Sequence, residues 1–113
     1  FCADANLDYS YHSNSSCSGS STVYVGGYPA NAFGLHDMHG NVWEWCLDSY
    51  AVYSSGAVTD PFVTGTSSFR VVRGGCWSSL SIYCRSAFRY FSTPDNSSSC
   101  VGFRVVLAQV LVP

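Results

Sequence analysis

Asn31-Ala32-Phe33-Gly34-Leu35-His36-Asp37-Met38-His39-Gly40-Asn41-Val42-Trp43-Glu44-Trp45-Cys46-Leu47 is the stretch on which the fold turns. From Asn41 to Leu47 polar and bulky residues alternate at period two, with two tryptophans, which predicts a half-buried strand. Two further blocks share its rigid character: Arg73-Gly74-Gly75-Cys76-Trp77 and Gly102-Phe103-Arg104-Val105-Val106. Between them, Ser78 to Cys100 is built from Ser, Tyr, Phe, Cys and small aliphatics, the composition of an antibody combining loop. A segment of that kind held between Trp-, Arg- and Gly-rich blocks is expected to be displayed to a partner.

The 113 residues leave room for one domain at most. A hydrophobic fraction of 47% supplies a core and argues against wholesale disorder. Only 11% of residues are charged and the net charge is −2, with no basic run to meet a phosphate backbone, so a nucleic-acid partner is not expected. Phe1-Cys2-Ala3-Asp4 lacks the marks of a signal peptide, and the apolar run Val105–Val112 is too short to cross a bilayer. The abrupt start is expected of the C-terminal part of something longer.

Six cysteines without a CxxC pair argue against a zinc ribbon or a thioredoxin-type site. Their even number among Ser/Gly/Tyr-rich loops points to an oxidising compartment and to disulfides, with Cys2–Cys17 and Cys46–Cys84 as the expected pairs. Elsewhere the chain predicts loop over residues 1–27, a short strand at Thr22–Val25, a strand at Phe69–Arg73 and another at Phe103–Val110. No stretch carries a sustained helical period, so helix is expected to be scarce. A small sheet should support long ordered loops.

Three motifs, in this order and spacing, resemble the sulfatase-modifying-factor (formylglycine-generating-enzyme) superfamily: the Asn31–Trp45 block, Arg73-Gly74-Gly75-x-Trp77, and Cys84-Arg85-Ser86-Ala87-x-Arg89 with Gly102-Phe103-Arg104. The resemblance implies an α+β, C-type-lectin-like fold with little helix and a small antiparallel sheet. It also implies that residues 1–113 are the C-terminal part of one such domain. Within the superfamily the chain is similar to the variable proteins of diversity-generating retroelements, whose C-terminal stretch a reverse transcriptase rewrites at adenines. Adenine substitution in an AAC codon never yields Lys, Glu, Gln, Met or Trp, and all five are absent from Ser78 to Cys100. Residues 73–104 would then form a variable ligand-binding region.

The contact residues so implied are Ser78, Ser79, Leu80, Ser81, Ile82, Tyr83, Phe88, Tyr90, Phe91, Ser92, Thr93, Ser97, Ser98, Ser99 and Cys100. Tyr and Phe bring contact area with few rotors to freeze, and Ser brings adaptable hydrogen bonds. The competing reading turns alternate side chains into the domain, as a strand must. A protein or glycan on a bacterial cell or phage surface is the implied ligand, and an extracellular or cell-surface location goes with it.

The superfamily's enzymes oxidise a substrate cysteine with a close pair of their own. The first of these falls near Ser79 here, and no such pair follows Trp77, so no catalytic residue is assigned. Cys76 and Cys100 are open to three readings: a disulfide, a copper pair, or two separate thiols.

The resemblance further implies a structural Ca²⁺ held by Asp37, Gly40, Val42 and Glu44 through two side-chain oxygens and two main-chain carbonyls. The alternative pairs Asp37 and Glu44 with Arg73, Arg85 or Arg104. A second family calcium site, through Asn6 and Leu7, meets Cys17 where an Asp is required. His36 and His39 lack the further ligands zinc needs and read as hydrogen-bonded loop histidines. Trp43, Trp45 and Trp77 read as framework, and Arg73, Arg85, Arg89 and Arg104 as clamps on loop carbonyls and carboxylates.

Overall fold

The computed structural model describes residues 4–7, 20–65 and 67–107. The expected Cys2–Cys17 bridge therefore lies outside the described residues, as does His12.

Four strands carry the fold: β1 (Trp43–Ser49), β2 (Arg70–Arg73), β3 (Tyr90–Ser92) and β4 (Val101–Gly102). They form one sheet in the order β3-β2-β1-β4. β2 runs antiparallel to both β1 and β3. β4 lies parallel to β1, with Trp43 opposite Val101 and Glu44 opposite Gly102, so the sheet is mixed where a wholly antiparallel one was expected. Helix is confined to a single 3-10 turn at Ser81–Cys84 among the described residues.

The alternation of Asn41–Leu47 does form the central strand, shifted two residues toward the C-terminus. Trp45, Val72 and Tyr90 stand in one cross-strand row, while Val71 faces Phe91 in the next. Cross-strand neighbours of this kind share a face of the sheet. β1 bulges between Trp45 and Ser49, which turns Ser49 fully inward. There the Ser49 hydroxyl accepts bonds from Gly65 N–H at 3.1 Å and from the Arg70 guanidinium at 2.5 Å. Val71 and Val72 are almost completely buried, on the two opposite faces of β2.

Two expected strands do not form among the described residues, and residues 108–110 of the second lie outside them. Thr22–Val25 runs extended without a ladder, because a side chain replaces the partner strand. The Asn41 amide accepts from Val23 N–H at 2.9 Å and donates to Val23 C=O at 3.3 Å, satisfying both backbone groups. Phe103–Leu107, the described part of the expected last strand, leaves the sheet after the two-residue β4, and Val105 and Leu107 stand exposed. The strand-like stretch Phe88–Tyr90 forms β3 two residues further on, at Tyr90–Ser92.

Cys46, Cys76, Cys84 and Cys100 are all free thiols. The expected Cys46–Cys84 bridge is absent because the two residues have different surroundings. Cys46 on β1 feels the charges of Arg73, Asp48 and Glu44. Cys84 lies beneath Gly75, in a small apolar cluster with Ala5 and Leu7.

Candidate functional site

The aromatic side chains of the Ser-rich segment form one connected series. Tyr83 meets Phe88 edge-on at 5.2 Å between centroids, Phe88 meets Trp43 at 6.1 Å, and Trp43 meets Tyr90 at 5.7 Å. Tyr90 then stacks on Phe91 at 5.1 Å, and Phe91 packs against Tyr50 and Phe69 at 4.7 and 4.9 Å. Rings at these separations are in favourable tilted, edge or offset contact. The series follows β3, an edge strand, whose outer backbone has no partner strand in this sheet.

It is a surface series. Tyr90 is 51% exposed, Tyr83 41% and Phe91 36%. Ile82, Ser78, Ser97, Ser98 and Ser99 are exposed as well, while Leu80, Ser81, Phe88, Ser92, Thr93 and Cys100 are half-buried; Ser78 and Ser99 lie by Cys100 and Trp77, toward β4. Ser79 is the exception to the expected display. It is buried, its N–H donates to Cys76 C=O, and its hydroxyl accepts from Cys76 N–H at 3.0 Å. Its role is to close a turn. Sequence reasoning placed Trp43 in the framework and passed over Tyr50 and Phe69, yet all three extend the aromatic series. Their part in it is set by sheet register and by the bulge, neither of which single-residue composition reveals.

Arginines hold the backbone beneath this face. Arg73 donates to Ser86 C=O at 2.6 Å and to the Tyr53 hydroxyl at 3.3 Å, and Tyr53 in turn donates to Ala87 C=O at 2.8 Å. Arg89 donates to Ala51 C=O at 2.6 Å and stacks its guanidinium 3.6 Å above the Tyr53 ring. Arg85 donates to Ile82 C=O at 2.9 Å. The Arg89, Arg73 and Tyr53 contacts fasten the loop between the 3-10 turn and β3 to the loop after β1, while Arg85 ties the 3-10 turn to itself. The clamp role expected of the arginines is the one they play. Between the two loops a cavity of about 370 Å³ is lined by Asp48, Val52, Tyr53, Val71, Arg73 and Arg89, among others.

On the far side of β1 lies the expected cation site. Asp37 sits at φ 53°, a left-handed conformation that brings its carboxylate back toward Gly26 N–H, which donates to Oδ2 at 2.5 Å. Asp37 Oδ1 is buried with no hydrogen-bond partner. Asp37, Gly40, Val42 and Glu44 line one cavity of about 230 Å³. The orphaned Asp37 oxygen is the feature that fits a hard cation, in a cavity that Val25, Phe103 and Arg104 also line. Among the described residues no three His, Cys, Asp or Glu side chains gather as a metal site, so such a cation would need main-chain oxygens as well. Glu44 also serves the alternative reading: Arg104 grips it with both Nε, at 2.9 Å, and Nη2, at 2.7 Å, while Asp37 offers Arg104 only its main-chain carbonyl. The Glu44 carboxylate holds the Arg104 guanidinium above its ordinary pKa.

His36 and His39 donate their Nδ1–H to the carbonyls of Tyr28 at 2.8 Å and Cys84 at 2.7 Å, as loop histidines do.

Also at the start of β1, two thiols lie around one hydroxyl. Ser78 Oγ lies 3.3 Å from Cys76 Sγ and 3.5 Å from Cys100 Sγ, and Ser79 Oγ lies 3.4 Å from Cys76 Sγ. Burial pushes the Cys76 thiol up, but the donors from Ser78, Ser79 and Cys100 outweigh it and hold it below the ordinary thiol value. Burial, with the nearby Cys76 charge, pushes Cys84 up to about 11, and burial also raises Cys100. Cys76 and Cys100 are thus neither joined nor remote: they are free thiols that share a hydroxyl.

The comparisons with known proteins agree with this architecture. The chain belongs to the sulfatase-modifying factor family: the Sulfatase-modifying factor enzyme 1-like domain matches residues 3–109. It is 44% identical over 89 residues to the serine/threonine-protein kinase Pkn1 of Chlamydia trachomatis serovar L2, covering 75% of this chain and 14% of that protein. It is 43% identical over 89 residues to the formylglycine-generating enzyme of Streptomyces coelicolor, covering 74% of this chain and 28% of the enzyme. Among solved structures it is similar to Treponema denticola variable protein 1, with a TM-score of 0.74 at 35% identity, over 88% of this chain and 34% of that one. The chain thus spans about a third or less of each of these relatives. The fold is the C-type-lectin-like α+β fold of this family, low in helix.

Proposed function

We propose that this chain is a non-enzymatic ligand-binding part of a sulfatase-modifying-factor-type domain, with a diversified recognition face at residues 73–104. The observation that carries the reading is the aromatic series itself. Tyr83, Tyr90 and Phe91 stand exposed, and the neighbouring backbone is fastened by Arg73 and Arg89. Exposed aromatics on a rigid support give contact area at little ordering cost, which is what a surface that must accept many sequences needs. With Ser79 turned inward, the contact set is Ser78, Ile82, Tyr83, Tyr90, Phe91 and Ser97–Ser99, with the half-buried residues behind them. The ligand is a protein or glycan on a bacterial cell or phage surface, and the protein works outside the cell. A Ca²⁺ at Asp37, Gly40, Val42 and Glu44 would brace the loop opposite the recognition face.

The test is to sequence the DNA flanking the gene. The reading expects a near-copy of the DNA for Arg73–Arg104, differing only at adenines, beside a reverse-transcriptase gene. A complete locus with neither removes the diversification claim.

The similarity to the Streptomyces coelicolor formylglycine-generating enzyme favours a second reading, oxidation of a sulfatase cysteine. Against it, the position expected for the family's first catalytic thiol holds Ser79, already committed to Cys76 N–H. Incubation of the full-length protein with a cysteine-containing sulfatase peptide, copper and oxygen decides between them. Formylglycine in the peptide mass spectrum overturns the display reading.

A further inference from the structure

The geometry points to Cys76 and Cys100 as a thiol–disulfide exchange site, which reacts with low-molecular-weight disulfides and closes into an intrachain bond spanning the recognition segment.

The two residues are brought together by backbone bonds that do not involve their side chains. Trp77 N–H donates to Asn41 C=O at 3.0 Å, and Trp43 N–H donates to Cys100 C=O at 2.8 Å. The chain leaving β2 and the chain entering β4 are therefore docked two residues apart on the start of β1. Trp77 Nε1 reaches Ser99 C=O at 3.4 Å, a further tie between the same two segments. Over this junction the Ser78 hydroxyl lies within hydrogen-bond reach of both sulfurs.

Exposure divides the labour. Cys76 is only 3% exposed, while Cys100 is half-buried and reachable. A small disulfide RS–SR meets Cys100 first. The Cys100 thiolate attacks one sulfur, an S–S bond forms to Cys100, and the other half leaves as RSH. The Cys76 thiolate, with Ser78 and Ser79 as donors, then attacks the Cys100 sulfur and expels the second RS⁻, which takes up a proton. In sum two thiols lose two protons and two electrons to RS–SR, giving one protein disulfide and two RSH. The donor hydroxyls favour Cys76 as the second nucleophile because the thiolate is the attacking form.

The bond would enclose Ser78–Ser99, almost every residue proposed to contact ligand, in one covalent loop. The exchange chemistry does not depend on the display reading, since the sulfurs meet whether or not the loops bind anything.

The experiment treats the folded, reduced protein with hydroxyethyl disulfide, quenches by acid, and maps the tryptic peptides. The unaltered chain is expected to join Gly74–Arg85 to Tyr90–Arg104, with fragmentation placing the link at Cys76 and leaving Cys84 as a thiol. Cys76→Ser is expected to stop at the hydroxyethyl adduct on Cys100. Cys100→Ser, on the more exposed residue, keeps the test valid if the buried substitution disturbs folding, and is expected to leave Cys76 unmodified. A stable adduct on Cys100 of the unaltered chain, a Cys76–Cys84 link, or failure of Cys100 to react overturns the inference.

Discussion

At Gly75 the backbone runs at φ 76°, and an added Cβ would collide with the sulfur of Cys84. Gly40 is held the same way, at φ 81° with Asn6 carbonyl and the Leu7 side chain against it. These two glycines fix how close the turn after β2 and the loop before β1 come to the apolar cluster of Ala5, Leu7 and Cys84. Gly75→Ala combines a left-handed conformation with a steric clash and is expected to cost about 3 kcal/mol or more in urea unfolding. A cost within about 0.5 kcal/mol, the range of a neutral surface change, would show that the Gly75–Cys84 contact is not tight. Both glycines belong to motifs visible in the sequence, but their contacts with Cys84, Asn6 and Leu7 follow only from the fold. The Cys46–Cys84 pairing failed for a reason at the same scale. Cysteine count constrains neither Cβ direction nor distance, and only the fold places Cys84 under Gly75 instead of beside β1.

Among elements, β1 and β2 were legible because alternation and β-branching are local signals, and both strands sit centrally where the signal is strongest. β3 was legible only as the strand-like Phe88–Tyr90, two residues early, since a three-residue edge strand among serines owes its pairing to β2 alone. The Thr22–Val25 segment erred the other way: its residues favour a strand, but the Asn41 amide takes the place a strand would occupy. The cation loop was legible only through family resemblance, yet its structure supplies an independent mark, the unpartnered Asp37 Oδ1. If that oxygen awaits Ca²⁺, saturating calcium at ~100 times Kd adds about 2.7 kcal/mol of stability, and Tm rises by at least several degrees. Asp37→Ala should abolish the rise, and magnesium should reproduce little of it because its geometry is stricter. Equal melting temperatures in calcium and in chelator would assign the loop to the Arg104–Glu44 pair alone.

For the molecule as a whole, the proposed display role requires a division between a backbone frame held by arginines and glycines and a face whose side chains can change without unfolding it. Val71 and Val72 are buried to within 2% on the two faces of β2, whereas Tyr90 and Tyr83 remain about half exposed. The exposed part of Ser78–Cys100 is mainly aromatic rings and hydroxyls, with Arg85 and Asp95 among them. Which hydroxyls turn inward, as Ser79 does, was not readable without the turn that Cys76 and Ser79 close. The most direct measurement is therefore a stability screen. Ile82, Tyr83, Tyr90, Phe91, Ser97, Ser98 and Ser99 are randomised together in the displayed full-length protein, and each variant is scored for protease resistance. The frame-and-face division predicts that most variants stay folded, within about 1 kcal/mol of the parent, because exposed positions tolerate change. Loss of resistance in most of the library would contradict it.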